Sequence, residues 1–268
     1  QPKATPNNPI DWTALEQTLS QPLLADLGQQ IELPFDMHIQ GIHGTNWQYQ
    51  AINTKGESEF EVKVSSADLL ADATGDNVQL QTLSVTSSLG EVQAKGQIQL
   101  QADFPLQLNI NADLNALKQK EAVLLPATKA NLTLSGTLKK QTALLLQTQG
   151  AIDAELKAEA QLTAPKTPLN IKLAVARGQY PFDGNDPLSI KDVNLTINGD
   201  ILTSQIQLNG AVSGMGIPAN SLDLQAIGHL SNIEIHQLKL NALEGSAELK
   251  GDVNWRDGVE WNSHLQLA

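Results

Sequence analysis

The sequence predicts an all-β protein: a long, mostly antiparallel sheet curled into an open half-pipe around an apolar groove, with short helices at its margins. Three observations carry this. From about Phe35 to Ala268 the chain alternates apolar and polar residues, as in Asp192-Val193-Asn194-Leu195-Thr196-Ile197-Asn198 and Gln205-Ile206-Gln207-Leu208-Asn209. Successive side chains of a strand point to opposite faces, so each such segment has one apolar and one wet face. Glycines and prolines punctuate the segments at hairpin spacing. Finally, 41% of residues are hydrophobic but only 4% aromatic, so the apolar face is largely Leu, Ile, Val and Ala. About 16 strands at roughly 4.8 Å each would run on the order of 75 Å, too long for a small closed barrel, and twist curls such a sheet.

Residues 1–10, with three prolines and two asparagines, read as a linker. Residues 11–33 form a short helix and a connection: Asp11 is a candidate N-cap, Trp12, Leu15 and Leu19 share a helical face, and Pro22 ends the helix. That apolar stripe should dock over one end of the sheet's apolar face. Residues 34–268 then read as one continuous sheet segment. Strands are expected at 35–40, 47–53, 57–65, 78–87, 91–103 and 106–112, then at 130–139, 143–150, 154–164, 168–176, 191–199 and 202–208. The last four are 221–229, 232–240, 246–254 and 260–267. Gly44, Gly56, Gly90, Gly136, Gly210 and Gly245 mark expected reversals. Residues 113–118 break the alternation and are expected to form one or two helical turns. Residues 178–187, with Pro181, Asp183, Gly184, Asn185 and Pro187, form the longest loop, and 210–216 read as a flexible hairpin loop.

A shift of 155 positions carries Leu83, Val85, Gly90, Lys95, Gly96, Ile98 and Leu100 onto Leu238, Leu240, Gly245, Lys250, Gly251, Val253 and Trp255. A repeated hairpin meander can extend a sheet indefinitely. The last residues, Leu265-Gln266-Leu267-Ala268, stop inside an alternating strand, as expected of a piece of a longer protein. No stretch reaches the roughly 18 apolar residues that span a bilayer.

The inventory excludes several functions. A net charge of −12 argues against a phosphate-backbone partner. The absence of cysteine removes disulfides and thiolate metal sites. The histidines (His38, His43, His229, His236 and His264) form no metal-ligating spacing, Ser213 lacks a nucleophile elbow, and Asp183-Gly184-Asn185-Asp186 lacks the distal Glu of a calcium loop. Glu57, Glu59 and Glu61 are the wet face of a strand. The glycines of 210–216 do not follow a phosphate-cradle spacing, and Asn131-Leu132-Thr133 and Asn194-Leu195-Thr196 are uninformative sequons. The chain reads as a non-enzyme that needs no metal or cofactor.

What remains is the apolar face. Its candidate lining is Leu106, Leu108, Ile110, Leu132, Leu134, Leu169, Ile171, Leu173, Val193, Leu195, Ile197, Ile206, Leu208, Leu222, Leu224, Ile233, Ile235, Leu238 and Leu240. These residues can pack on one another as a closed sandwich core, or line a groove that holds acyl chains, with which aliphatic walls make contact without demanding a polar partner.

Five motifs occur in order: Glu32-Leu33-Pro34-Phe35-Asp36-Met37, Ser87-Ser88-Leu89-Gly90-Glu91-Val92, Tyr180-Pro181-Phe182-Asp183-Gly184, Ala242-Leu243-Glu244-Gly245-Ser246-Ala247-Glu248-Leu249-Lys250, and Asn254-Trp255-Arg256-Asp257-Gly258-Val259-Glu260-Trp261. From about Leu15 to the end the chain resembles the TamB family, inner-membrane-anchored periplasmic proteins of Gram-negative bacteria in the AsmA-like group. The resemblance implies a β-taco fold, an open groove with an apolar interior. It also implies a much longer parent protein, of which this chain is a periplasmic piece from the N-terminal half. The membrane anchor and the C-terminal region that meets the outer-membrane partner TamA would lie outside it. The implied role is to move phospholipid between the two membranes, the acyl chains held in the groove. The alternative is to act as a chaperone or scaffold for outer-membrane protein assembly, capturing strands by β-augmentation.

Overall fold

The computed structural model describes residues 10–25, 27–28, 30–52, 58–119, 122–182, 184 and 186–268. One helix opens it, α1 (Trp12–Leu19). Asp11 caps it, its carboxylate accepting from the Ala14 N–H at 2.9 Å. The strands follow: β1 (Met37–Ile52), β2 (Ser58–Thr74), β3 (Asn77–Ser87), β4 (Gly90–Gln99), β5 (Pro105–Leu114), β6 (Leu117–Gln119), β7 (Ala122–Leu125), β8 (Thr128–Thr137) and β9 (Thr142–Gln149). After them come β10 (Ile152–Ala160), β11 (Leu169–Tyr180), β12 (Leu188–Gly199), β13 (Thr203–Gly214), β14 (Ile217–His229), β15 (Asn232–Ala242), β16 (Gly245–Asn254) and β17 (Glu260–Leu267).

Fifteen strands make one antiparallel sheet in chain order, interrupted only by β6 and β7, which pair with each other as a hairpin between β5 and β8. The sheet does not close: β1 and β17 stand at its two edges and are not paired to each other. The described residues thus form an all-β, meandering sheet with one short helix, as the alternation predicts.

Several expectations are corrected. Residues 113–118 are not helical; β5 runs to Leu114 and β6 starts at Leu117. Gly44 and Gly210 lie inside β1 and β13 rather than at reversals. At Gly44 the Trp47 ring lies against the backbone, so a Cβ there would come within 2.3 Å of it; the glycine makes room for an aromatic ring, not for a turn. The expected strands at 35–40 and 47–53 are therefore one strand. Residues 210–214 belong to β13, and the reversal is the tight Met215-Gly216 turn. The loop at 178–187 is shorter than expected, because β11 extends to Tyr180 and β12 begins at Leu188. Gly56, Asp183 and Asn185 lie outside the described residues.

An antiparallel meander sends its turns alternately to two rims. The first rim carries the turns at 75–76, 100–104, 138–141, 161–168, 200–202, 230–231 and 255–259. The chain from α1 to β1 runs along it. Trp12 Nε1 donates to the Arg256 carbonyl (2.7 Å), the Lys166 N–H to the Ser20 carbonyl (3.2 Å), and the Leu24 N–H to the Leu162 carbonyl (3.0 Å). Further along, the Ile31 N–H reaches the Leu100 carbonyl (2.7 Å), the Leu33 N–H reaches the Gly75 carbonyl (3.3 Å), and Asp36 accepts from the Gly75 N–H (3.2 Å). Turn carbonyls and amides that hairpins leave unpaired thus find partners. Beside this strap sit two of the best-buried side chains, Phe104 and Thr167, at 1% and 2% exposure. Lys139 Nζ stands 5.0 Å from the Phe104 ring centroid. Within α1 the stripe Trp12, Leu15 and Leu19 is half-buried and the other residues are exposed.

Candidate functional site: the apolar face

Cross-strand register converts the alternation into rows. One row crosses all fifteen strands without a polar residue: Ile42, Leu69, Leu83, Ala94, Ile110, Leu132, Leu146, Leu156, Leu173, Leu195, Leu208, Leu224, Leu238, Leu249, Leu265. Fourteen inter-strand steps of about 4.8 Å make it roughly 67 Å long. A parallel row carries Leu108, Leu134, Leu144, Ile171, Ile197, Ile206 and Ile235. A third, toward the first rim, carries Leu106, Leu169, Ile233 and Val253. On the other side Val175 pairs with Val193, and Leu222 pairs with Leu240.

All nineteen residues expected on the apolar face fall in these four rows. The register adds Ile42, Leu69, Leu83, Leu144, Leu146, Leu156, Leu249 and Leu265. Leu144 and Leu146 sit in the run Ala143-Leu144-Leu145-Leu146, whose alternation is invisible in sequence. In the sheet Leu145 pairs with Thr133 and Lys157 on the opposite, polar face.

The face is apolar but not covered. Of the nineteen none is buried; Leu240 is exposed and the rest are half-buried. The buried apolar positions are small or rim-bound: Ala73, Ala94, Phe104, Ala151, Val175 and Ala226. In a two-layer sandwich the inward residues of both sheets interdigitate and bury one another. The half-burial of Leu132, Leu173, Leu195, Leu208 and Leu224 rejects that arrangement and leaves a contiguous apolar surface of a size that monomeric soluble proteins rarely expose. At the β1 edge the Trp47 and Tyr49 side chains are exposed. Where Gly96 faces Leu80 and Leu108 there is an apolar hollow of about 230 Å³, walled also by Val78, Ile98, Leu106 and Leu134.

The polar face is a set of amide and carboxylate ladders. Thr133 donates to Asn109 (3.2 Å), Gln147 to Glu155 (2.9 Å), Asn194 to Asn209 (3.2 Å) and Gln141 to Glu159 (2.8 Å). Glu155 titrates below the ordinary carboxylate range because Lys157 and then Gln147 hydrogen-bond its charged form. Two histidines of β1 face aspartates of β2: His38 and Asp72 at 3.0 Å, His43 and Asp68 at 2.5 Å. His229 and His236 both approach Glu234, at 3.5 and 4.0 Å. Among the described residues no group of three or more His, Asp or Glu side chains is placed to hold a metal ion. No helix among them is long and apolar enough to cross a membrane.

Comparison with known proteins follows the same lines. The family model of the TamB N-terminal domain matches residues 1–268. A translocation and assembly module subunit TamB from Haemophilus influenzae is 45% identical over 270 residues, covering 100% of this chain and 21% of the relative. A protein without assigned function from Buchnera aphidicola subsp. Schizaphis graminum is 21% identical over 194 residues, 71% of this chain and 19% of its own length. The chain thus spans about a fifth of the length of the curated relatives it matches. No solved structure matches it. The chain belongs to the TamB family.

Proposed function

We propose that the apolar face is the interior of an open, curled groove, continuous over residues 34–268, and that this groove conducts phospholipid acyl chains across the periplasm between the inner and outer membranes. The single observation behind this reading is the fifteen-strand row without a polar interruption, half-buried throughout its middle. An acyl chain sliding along such a row exchanges one aliphatic contact for the next and meets no group that demands a hydrogen bond. The rows give no preferred stopping place, which suits transport rather than storage. In this reading the chain is a periplasmic segment of a longer protein whose inner-membrane anchor lies elsewhere. The Haemophilus relative is named as a subunit of a translocation and assembly module. We place this chain in such a module, with the outer-membrane partner TamA engaged through a region beyond residue 268.

The test uses the alternation itself. A photocrosslinking residue at Leu195 or Leu208 is expected to capture phospholipid in cells, and one at Asn194 or Gln207 is not, because neighbours point to opposite faces. Equal capture at adjacent positions would remove the groove reading. One observation favours a second reading, a scaffold that captures nascent outer-membrane strands: among the described residues β1 has a partner strand on one side alone and exposes Trp47 and Tyr49. Unfolded outer-membrane protein co-purifying in place of phospholipid would favour that reading.

A further inference from the structure

The two rims of the sheet are not equivalent. The first is followed by the chain between Trp12 and Asp36, tied to four of its turns. The second carries the turns at 88–89, 115–127, 150–151, 181–187, 215–216 and 243–244, and among the described residues no such strap runs along it. There, at the rim ends of β10, β11 and β12, Val123, Pro126 and Phe182 help bound a cavity of about 610 Å³. That volume lies within the range of small-molecule sites. Its walls combine two chemistries. Val123 and Pro126 from the hairpin, Phe182 from the loop and Ile190 from β12 are apolar; Arg177 and Lys191 are cationic.

The cations are placed in an unusual way. Arg177 and Lys191 stand directly opposite each other across β11 and β12. Like charges in that position repel unless an anion intervenes. Asp153 neutralises Arg177, its carboxylate 2.5 Å from Nε. Lys191 has Arg177 on one side and Ala211 on the other, so no carboxylate stands across from it on either neighbouring strand. Asp186 of the adjoining loop accepts from the Gly216 N–H. Lys191 is thus the cation at the cavity mouth that no carboxylate on a neighbouring strand faces. Gly178 lies next to it, and an added Cβ there would come 3.0 Å from Ile190 Cγ1 and 3.5 Å from Ile152 Cγ1. Gly178 is buried, so the Ile190 and Ile152 side chains close over it and form an apolar wall beside the cationic mouth.

We propose that this cavity is a lateral portal for a glycerophospholipid with a net anionic headgroup. The headgroup phosphate sits against Lys191, and the acyl chains lie along Val123, Phe182 and Ile190 toward the apolar face. The strapped first rim offers no equivalent opening, so lipid joins or leaves the groove from the second rim. This inference rests on the conduit reading and adds to it a site, a side and a headgroup charge.

The experiment uses the full-length protein in vesicles of phosphatidylethanolamine containing either phosphatidylglycerol or phosphatidylcholine, with a photocrosslinking residue at Phe182 or, separately, at Leu195. Capture at Phe182 is expected to favour phosphatidylglycerol. Lys191→Glu lowers it roughly tenfold, the scale of one charge-assisted hydrogen bond, and Lys191→Arg restores it. Lys191 is exposed, so these substitutions leave the fold intact. Millimolar glycerol phosphate is expected not to compete; full competition would make the site one for free phosphate compounds and overturn the portal. Lipid captured at Leu195, with capture at Phe182 absent or indifferent to Lys191→Glu, overturns the portal and leaves the conduit standing. No lipid at either position overturns both.

Discussion

Replacing Leu195 with Arg separates an open groove from a covered core. Leu195 stands mid-sheet between Leu173 and Leu208, and it is half-buried. Full burial of a leucine side chain contributes about 1.5–3 kcal/mol, so a side chain still partly in water forfeits on the order of 1 kcal/mol when removed. An arginine stem can lie along the neighbouring leucines while its guanidinium reaches water, so no buried charge is created. We therefore expect Leu195→Arg to cost about 1–2 kcal/mol and to retain β-sheet circular dichroism. Ala226, between Ile206 and Ile235 in the next row, is the internal comparison at 5% exposure. Arginine there must overpack and desolvate, for about 3–5 kcal/mol. Amide exchange on β12 and on β14 is the appropriate assay, because a long meandering sheet opens locally rather than all at once. Lipid capture at Leu208 is expected to fall in Leu195→Arg although the fold survives. If Leu195→Arg loses as much protection as Ala226→Arg, the face is covered in solution and the groove argument is wrong.

Three further outcomes follow from the rims and the polar face. Phe104→Ala should cost about 3–5 kcal/mol, the usual range for a buried phenylalanine, and speed exchange of the Leu138 and Lys139 amides that donate to the Phe104 and Asp103 carbonyls; unchanged exchange there would show that Phe104 does not anchor the first rim. Gly214 has φ +99 and a Cβ would fall 1.8 Å from the Pro187 carbonyl oxygen, so Gly214→Ala should cost about 1–3 kcal/mol and fray the β12–β13 end, seen as lost protection at Ser213. The Gly150 amide and then the Arg177 guanidinium hold the Asp153 carboxyl below the usual carboxylate range. A depressed folded pKa means its stabilisation is complete above the unfolded value of about 3.9 and is lost as pH falls through the folded value. Carboxyl chemical shifts should therefore show Asp153 still ionised at about pH 4, with Gly150 exchange accelerating only below it; a midpoint at or above the ordinary value would refute the pairing.

The sequence made the strands and their faces legible, because period-2 alternation is a property of single strands. Asp192 to Asn198 reads correctly in isolation, and so does the capped helix after Asp11. Register is a property of pairs, and there local reading stops. Nothing in Ala143-Leu144-Leu145-Leu146 says that Leu145 joins Thr133 and Lys157 while its neighbours join the apolar rows. Nothing near Val193 announces that the β12–β13 register shifts between Lys191 and Asn194, so that the Val193 side chain comes to lie against Gly210. Gly44 reads as a turn for a different reason: the ring that requires a glycine there belongs to Trp47 of the same strand, and sequence does not show where that ring folds.

The asymmetry of the rims was still less accessible to sequence. The strap is held almost entirely by backbone groups, which every residue carries, so Ser20, Leu24, Ile31 and Leu33 bear no compositional mark of the turns they touch. The portal draws Val123, Phe182 and Lys191 from three separate stretches of chain. Alternation fixes which side chains share the apolar face; turn contacts fix which rim is strapped. A lipid conduit needs both, since a row of leucines closed off along each rim could hold an acyl chain but could not exchange it. In the proposed reading, the strap on one rim and the cavity beside Lys191 on the other give the apolar face a defined side of approach, and Lys191→Glu read against Leu195→Arg tests the two halves of that proposal separately.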